Sequence, residues 1–285
     1  MIYTSAGCKR RRPRAAHSLS RYNVAVQTLK TVSQLAIAPV KGMALLHPTE
    51  IRLERFGVAA NRRFHVVDAD GRRYGQLRDG TLARIVPAYD AEGERLTLRF
   101  PDGDVVDGDV VLGEPVVTDF YGRPVPGRVV DGPWSTAVSR FVGRPLRLVR
   151  TDEPGAGVDR DLGPVTMLSD ASLEELARRA GHDPVDGRRF RMLISISGCE
   201  PHEEDTWLGR RVAVGDAVVL LREQVARCAI TTQSPETGLR DFDSLREIKR
   251  YRGTRGGDGK NIDFGVFGEV EEPGRVRVGD AVAPG

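Results

Sequence analysis

Turn-forming residues recur so often in this chain that they leave room mainly for short strands. Of its 285 residues, 32 are glycine and 17 are proline. Between them lie runs with apolar residues at alternate positions, such as Ile51–Glu54, Arg63–Asp68 and Arg95–Phe100. Such alternation is typical of strands that bury one face. The pattern predicts a mostly β chain with a few helices, an α+β protein of the barrel or sandwich type.

Three segments carry helical signals instead. Trp134–Val142 is followed by Gly143, a residue suited to a helix C-cap. Ser172–Gly181 has an apolar stripe and opens on what resembles a capping box at Ser172. Asp243 is placed to cap a last helix.

Charge divides the chain into a tail and a body. Residues 1–30 contain seven Lys or Arg and no Asp or Glu, which leaves 36 basic and 40 acidic residues, a net charge of −4, for the rest. We expect a disordered basic tail over 1–30, with a misplaced start or a targeting segment as alternatives. A Gly-, Pro- and Asp-rich stretch at 151–163 divides the body. We therefore predict an N-terminal β-barrel-like domain over 31–150 and a second β-barrel domain over 151–285.

The same composition argues against several classes of function. A mildly acidic body gives no support for a nucleic-acid partner. No apolar run approaches the ~20 residues that cross a bilayer, so we expect no membrane association. The three cysteines form no CxxC pair, and the five histidines form no HxH or HExxH pattern. These absences argue against a disulfide framework and a zinc site, and favour a cytoplasmic location.

Cys228 is the first candidate for chemistry. It follows Arg227 near the end of a predicted strand, Val225–Thr231, and precedes a turn-rich stretch. A thiolate is a soft ligand suited to a transition metal. The alternative is an inert buried cysteine, since free cysteines are often buried.

Basic residues form the second group of candidates. Lys41, in a chain with 38 arginines and five lysines, ends an apolar strand before Gly42. Arg62-Arg63 and Arg188-Arg189-Phe190-Arg191 lie beside or inside predicted strands, the second at Phe190–Ile196. Such side chains can bind phosphate, and salt bridging is the alternative.

The segment Ser169-Asp170 precedes the predicted helix at Ser172. Backbone N–H groups at such a position can bind an anion, and plain helix capping is the alternative.

Short motifs in a fixed order make the chain resemble the MOSC proteins together with the β-barrel domain that precedes the MOSC domain. The resemblance covers residues of about 32–284. The motifs that carry it are Pro39-Val40-Lys41-Gly42, Asn61-Arg62-Arg63-Phe64, Leu168-Ser169-Asp170-Ala171-Ser172-Leu173, Phe190-Arg191, Ser197-Gly198-Cys199, Glu204-Asp205-Thr206-Trp207, Arg227-Cys228, Pro235-Glu236-Thr237-Gly238, Phe264-Gly265 and Val278-Gly279-Asp280-Ala281-Val282.

The resemblance implies a molybdenum–pterin cofactor, and it is strongest to the amidoxime-reducing group. It implies that Cys228 ligates the metal and that Lys41, Arg62 and Arg191 hold the pterin and its phosphate. Ser169, Asp170 and Arg227 are further candidates for cofactor contact. Pyridoxal phosphate on Lys41 is a weaker alternative.

Three positions depart from the family pattern. Gly42 stands where the family has serine, and Met192 and Leu193 stand where it has proline and asparagine. Of these, Leu193 puts the cofactor geometry most in question, because it lacks the amide.

The resemblance favours a reductase of small N-hydroxylated compounds. The chain ends without the ferredoxin domain that some bacterial members carry, which implies electrons from a separate ferredoxin, flavodoxin or cytochrome with its reductase. Two alternatives are a sulfur-transfer protein with a persulfide on Cys228 and a cofactor carrier without turnover.

Overall fold

The computed structural model describes residues 1–2, 29–155, 158, 163–182, 184–256 and 259–285. Most of the tail prediction, over 3–28, falls outside the described residues. The strands are β1 (Thr31–Leu35), β2 (Glu50–Leu53), β3 (Phe64–Asp68), β4 (Arg73–Tyr74), β5 (Val86–Asp90), β6 (Arg95–Arg99), β7 (Val105–Asp109), β8 (Val111–Asp119), β9 (Pro124–Asp131), β10 (Leu146–Thr151), β11 (Val165–Ser169), β12 (Ile194–Ser197), β13 (Arg211–Val214), β14 (Ala217–Ala226), β15 (Asp263–Glu272), β16 (Gly274–Arg277) and β17 (Val282–Pro284). The α-helices are α1 (Trp134–Val142), α2 (Asp170–Ala180) and α3 (Ser244–Arg252). The prediction of a mostly β, α+β chain is confirmed.

A seven-stranded sheet forms the C-terminal unit. Its strand order is β1-β12-β11-β15-β14-β13-β17, and a bridge between Thr31 and Ala281 joins its two ends, so the sheet nearly closes into a barrel. All its pairs are antiparallel except β11 with β12. Parallel neighbours need a crossover connection, and α2 lies in the segment that joins these two strands.

The N-terminal unit combines a five-stranded sheet, β4-β3-β10-β9-β8, with a three-stranded sheet, β5-β6-β7. Helix α1 packs between them through Trp134, which is fully buried and donates a hydrogen bond from Nε1 to the Leu96 carbonyl at 3.1 Å. Gly143 ends α1 in the left-handed region, at φ 75°. The predicted helix and its C-cap are confirmed.

The C-terminal unit includes two strands from the start of the chain. Although β1 and β2 precede residue 150, β1 pairs with β12 and β2 pairs with β16. Ile51 and Leu53 bury their apolar face in the core of the C-terminal unit. Lys30, assigned above to the tail, forms an ion pair with Glu203 at 3.0 Å, so the ordered body includes it. Strand alternation identified the buried face but not the core that receives it.

Helix α2 begins earlier than the capping box suggested. Its N-cap is Ser169, whose side chain accepts a hydrogen bond from the Ser172 backbone N–H. Ser172 lies inside the helix and is fully buried. The cap of α3 is the predicted one, since the Asp243 side chain accepts from the Arg246 N–H.

Three segments form 3₁₀-helices, and two of them overlap the predicted strands Phe190–Ile196 and Val225–Thr231. These occupy Gly80–Arg84, Gly187–Phe190 and Ala229–Thr232. In the first two, Asp79 and Asp186 accept backbone N–H groups and stabilise the turn in place of a strand. Within the described residues no helix is long and apolar enough to span a bilayer.

Candidate functional site

A pocket of about 290 Å³ lies between the two units and draws its walls from both. The N-terminal unit contributes residues between 41 and 78 and Tyr121, and the C-terminal unit contributes residues between 166 and 231. No aspartate or glutamate is among the described residues that line it. Its cationic side chains are Lys41, Arg62, Arg73, Arg78, Arg189, Arg191 and Arg227. A pocket with this lining attracts anions.

Lys41, Arg62 and Arg191 meet at the seam between the units. The Lys41 N–H donates to the Phe64 carbonyl at 2.8 Å, which places Lys41 beside the start of β3. Arg62 donates from Nη2 to the Arg191 carbonyl at 3.3 Å, and Arg191 donates from Nη2 to the Met43 carbonyl at 2.7 Å. Both arginines have left-handed backbones, φ 54° and 53°, which are uncommon outside glycine. These three cationic residues line the same pocket as Cys228.

Cys228 reaches the pocket from a turn, not from the predicted strand. Strand β14 ends at Ala226, and Cys228 is the N-cap of the 3₁₀-helix Ala229–Thr232. Its carbonyl accepts hydrogen bonds from the Thr231 N–H at 3.1 Å and Oγ1 at 3.0 Å, and Ser244 of α3 donates to that Oγ1 at 2.8 Å. The backbone of Cys228 is thereby anchored while the residue itself stays exposed.

Arg227, next to Cys228 in the chain, contacts the segment of Phe190 and Met192. Its Nη2 donates to the Phe190 carbonyl, and its guanidinium lies 5.2 Å from the centroid of the Phe190 ring. Its Nη1 lies 3.4 Å from the Met192 sulfur. Arg227 therefore joins the Cys228 turn to the segment that carries Arg191.

His65 forms part of the wall and was not among the residues singled out in the sequence. It is buried, with Nε2 2.9 Å from Thr118 Oγ1 and its ring edge-on to Phe120. Burial, together with Lys41 and Arg73 nearby, lowers the pKa of His65 to about 3. The imidazole is therefore neutral at physiological pH.

We expect His65 to make the fold acid-sensitive. Its folded-state pKa lies below the ordinary value of 6.5, so the unfolded chain binds the extra proton first. This contribution to stability is complete above pH 6.5 and is lost as the pH falls, by up to roughly 1.4 kcal/mol per pH unit. Chemical denaturation between pH 7 and 4 should show a shallower pH slope for His65→Gln than for the wild type. The exposed His47→Gln is the control substitution, and equal slopes for His65→Gln and wild type would contradict the assignment.

Ser169 and Asp170, predicted as cofactor contacts, do not line this pocket. The Ser169 N–H and Oγ both donate to the carboxylate of Glu204, at 3.3 and 2.8 Å, and Ser172 Oγ donates to it at 2.8 Å. Glu204 is fully buried, and burial raises its pKa. Asp170 lines a separate open pocket with Asp186, and burial raises the pKa of Asp170 as well. The start of α2 already has a carboxylate partner from the protein itself.

Replacing Ser169 with alanine separates a structural role from cofactor binding. The variant loses the N-cap of α2 and a hydrogen bond to Glu204, so we expect the free energy of unfolding to fall by about 1 to 2 kcal/mol. We expect no change in bound cofactor. Urea denaturation measures the first and analysis of released pterin measures the second. Loss of pterin in a folded Ser169→Ala protein would restore this serine to the cofactor site.

Of the three residues that depart from the family pattern, two line the pocket and one is buried in the core. Gly42 lines the pocket at φ 87°, and a Cβ there would approach the Gln76 backbone nitrogen to 3.1 Å, so glycine suits this turn. Met192 lines the pocket. Leu193 is buried in the core of the C-terminal unit and does not line the pocket. Leu193, which replaces the family asparagine, therefore packs in the core of this chain.

Two of the predicted basic residues are engaged in ion pairs, as the salt-bridge alternative foresaw. Arg188 pairs with Asp186 at 2.6 Å and Glu236 at 3.0 Å. Arg189 forms a bidentate pair with Asp241 at 2.6 and 2.9 Å. Arg189 still lines the pocket, whereas Arg188 does not.

Several polar atoms in the pocket wall are buried without a hydrogen-bond partner among the described residues. They are His65 Nδ1, Arg73 Nη1, Gln76 Oε1 and Arg189 Nε. Each such atom costs about 1 to 3 kcal/mol unless a ligand or water satisfies it. Their mixture of donors and an acceptor suits a polar anionic ligand that also carries N–H groups.

Arg73 was missed because its position depends on strand pairing. Val67 pairs with Arg73 across the hairpin of β3 and β4, which puts Arg73 on the same face as His65. Asp70-Gly71 marks the turn, but a two-residue loop there would pair Val67 with Tyr74; the loop has three residues, 69–71, with Gly71 at φ 76°, and this sets the observed register.

Known families and proteins match both units of the chain. The MOSC domain matches residues 158–283, and the MOSC N-terminal beta barrel domain matches residues 29–119. The mitochondrial amidoxime-reducing component 1 of Mus musculus is 29% identical, over 96% of this chain and 86% of that protein. The mitochondrial amidoxime reducing component 2 of Bos taurus is 35% identical, over 90% of this chain and 84% of that protein. Its counterpart from Homo sapiens is 33% identical over the same shares.

Proposed function

Because this chain belongs to the MOSC family, we propose that it binds the molybdenum cofactor in the pocket between its two units and reduces N-hydroxylated compounds there. One observation carries the proposal: the exposed thiol of Cys228 shares a pocket with seven cationic side chains and no described carboxylate. The relatives named for reducing amidoximes support the reaction class.

The residues present fit such a cofactor. Lys41, Arg62 and Arg191 would hold its phosphate, because that group needs several cationic donors in one place. Gln76 Oε1, buried without a partner, would accept a hydrogen bond from a pterin N–H. Cys228 would supply a soft thiolate ligand to the metal. The described residues contain no cluster of three or more His, Cys, Asp or Glu, so the protein would supply few ligands and the cofactor the rest.

The proposed reaction converts R–NH–OH, two electrons and two protons into R–NH2 and water. The N–O bond breaks, an N–H bond forms, and the oxygen leaves as water. The cofactor supplies the two-electron chemistry when bound, and a separate carrier, a ferredoxin, flavodoxin or cytochrome with its reductase, supplies the electrons. The chain orients the substrate and limits water, and the neutral His65 keeps an additional charge out of the wall.

This proposal is tested by measuring the metal content and the turnover of the same protein. We expect about one molybdenum and one pterin per chain, and reduction of benzamidoxime to benzamidine with reduced methyl viologen as donor. Protein with stoichiometric cofactor and no turnover would identify a cofactor carrier instead.

The exposure of Cys228 also favours a second candidate, a sulfur-transfer protein with a persulfide on this thiol. Cyanide-releasable sulfur in protein without molybdenum would identify that function. Molybdenum and cyanide-releasable sulfur can be measured in the same preparation, and the two results distinguish the reductase from the sulfur-transfer protein.

A further inference from the structure

The mouth of the pocket is built from side chains that the proposed cofactor set does not use. Leu77 and Tyr121 line it and are 56% and 66% exposed. Tyr121 has a left-handed backbone, φ 60°, directly before Gly122 at the β8–β9 turn. A bulky residue held in this conformation is uncommon, and such residues cluster at ligand clamps.

Arg73 lies in this mouth against aromatic rings. Its guanidinium carbon is 4.0 Å from the centroid of Tyr121 and 5.3 Å from that of Phe120. Its Nη1 is buried without a hydrogen-bond partner among the residues that the structure describes. A guanidinium stacked on a ring keeps its N–H edge available for a planar acceptor.

Two other arginines of the wall form ion pairs with carboxylates of the protein. Arg78 pairs with Asp68 at 3.0 Å, and Arg189 pairs with Asp241. Arg62 and Arg191 are tied to backbone carbonyls at the seam. Arg73 is thus the described arginine of this pocket whose contacts suit an incoming carboxylate best.

We propose that Arg73, stacked on Tyr121, is a substrate-binding residue that receives a carboxylate, so that N-hydroxylated compounds bearing a carboxylate are preferred substrates. This inference rests on the proposed function. Leu77 and the exposed part of Tyr121 supply apolar contact to the rest of the molecule, while the N–O group faces Cys228. The binding mode is a bidentate guanidinium–carboxylate pair in a partly desolvated pocket.

The test compares benzamidoxime with 4-carboxybenzamidoxime on holoprotein. We expect the wild type to favour the carboxylated compound in kcat/KM. Arg73→Gln should lower kcat/KM for that compound roughly 10- to 100-fold, mainly through KM, and change benzamidoxime less than about threefold. Arg72→Gln is the matched control, because this neighbouring arginine pairs with Asp70 at 3.3 Å, is highly exposed and does not line the pocket.

A binding measurement keeps this test separate from the reductase proposal. Calorimetry with the unreactive 4-carboxybenzamide and benzamide should show tighter binding of the carboxylated compound to the wild type and loss of that difference in Arg73→Gln. This result supports the subsite even if no reductase turnover is found. Equal binding of the two compounds to the wild type would overturn it. Loss of pterin and molybdenum from folded Arg73→Gln would also overturn it, since Arg73 would then belong to the cofactor site.

Discussion

Replacing Cys228 with serine is expected to abolish reductase turnover, by at least about 100-fold, while the fold is retained. Cys228 is exposed and makes no side-chain capping hydrogen bond, so serine fits without disturbing the turn. The serine hydroxyl is a harder donor and stays protonated near neutral pH, so it replaces a thiolate ligand poorly. Disturbing even groups that support a metal ligand costs 10- to 100-fold, and loss of the ligand itself should cost more. Turnover, molybdenum content and melting temperature are measured on the same preparation.

Cys199→Ser and Cys8→Ser are the matched controls. Cys199 is half-buried against the core of the C-terminal unit, and burial with Glu203 and Glu204 nearby raises its pKa to about 12. A thiol that stays protonated is a poor metal ligand. We expect both control variants to keep most of their turnover. Full metal and full turnover in Cys228→Ser would refute the role of this residue as the metal ligand.

Removing two cations from the seam is expected to abolish binding of the proposed cofactor. Lys41 and Arg191 line the pocket from opposite units, and a charge-assisted hydrogen bond is worth about 1.5 to 3 kcal/mol. Lys41→Gln with Arg191→Gln should therefore weaken pterin retention by roughly 100-fold or more. The fluorescence of oxidised pterin released from purified protein measures the bound fraction.

Two controls show whether the double variant loses pterin through a general loss of positive charge or through unfolding. Lys249 is exposed on α3 and does not line the pocket, so Lys249→Gln should retain the full pterin content. Arg191 also contacts the Met43 carbonyl, so the melting temperature of apoprotein is compared for all variants. A folded double variant with wild-type pterin content would contradict cofactor binding at the seam.

Local sequence signals were sufficient where the interacting groups are close along the chain. Gly143 ends α1 and Asp243 caps α3 as predicted, because a cap involves only residues within one turn. The same local reasoning failed at Ser172, where two serines three residues apart compete for one cap. Ser169 is the cap, and both serines donate to the Glu204 carboxylate, which comes from a segment more than 30 residues away.

The sequence alone determined the β-rich class and two of the helix ends, because alternation and caps involve neighbouring residues. Short motifs also singled out Cys228, Lys41, Arg62 and Arg191, which line one pocket. Tertiary structure decided which core receives β1 and β2, and that Arg73 and His65 join the pocket wall. It also turned the N–H of Ser169 toward Glu204 instead of a ligand. These outcomes depend on strand pairing and burial between segments far apart in the chain. Periodicity reports which face of a strand is buried, but not which distant residues cover it.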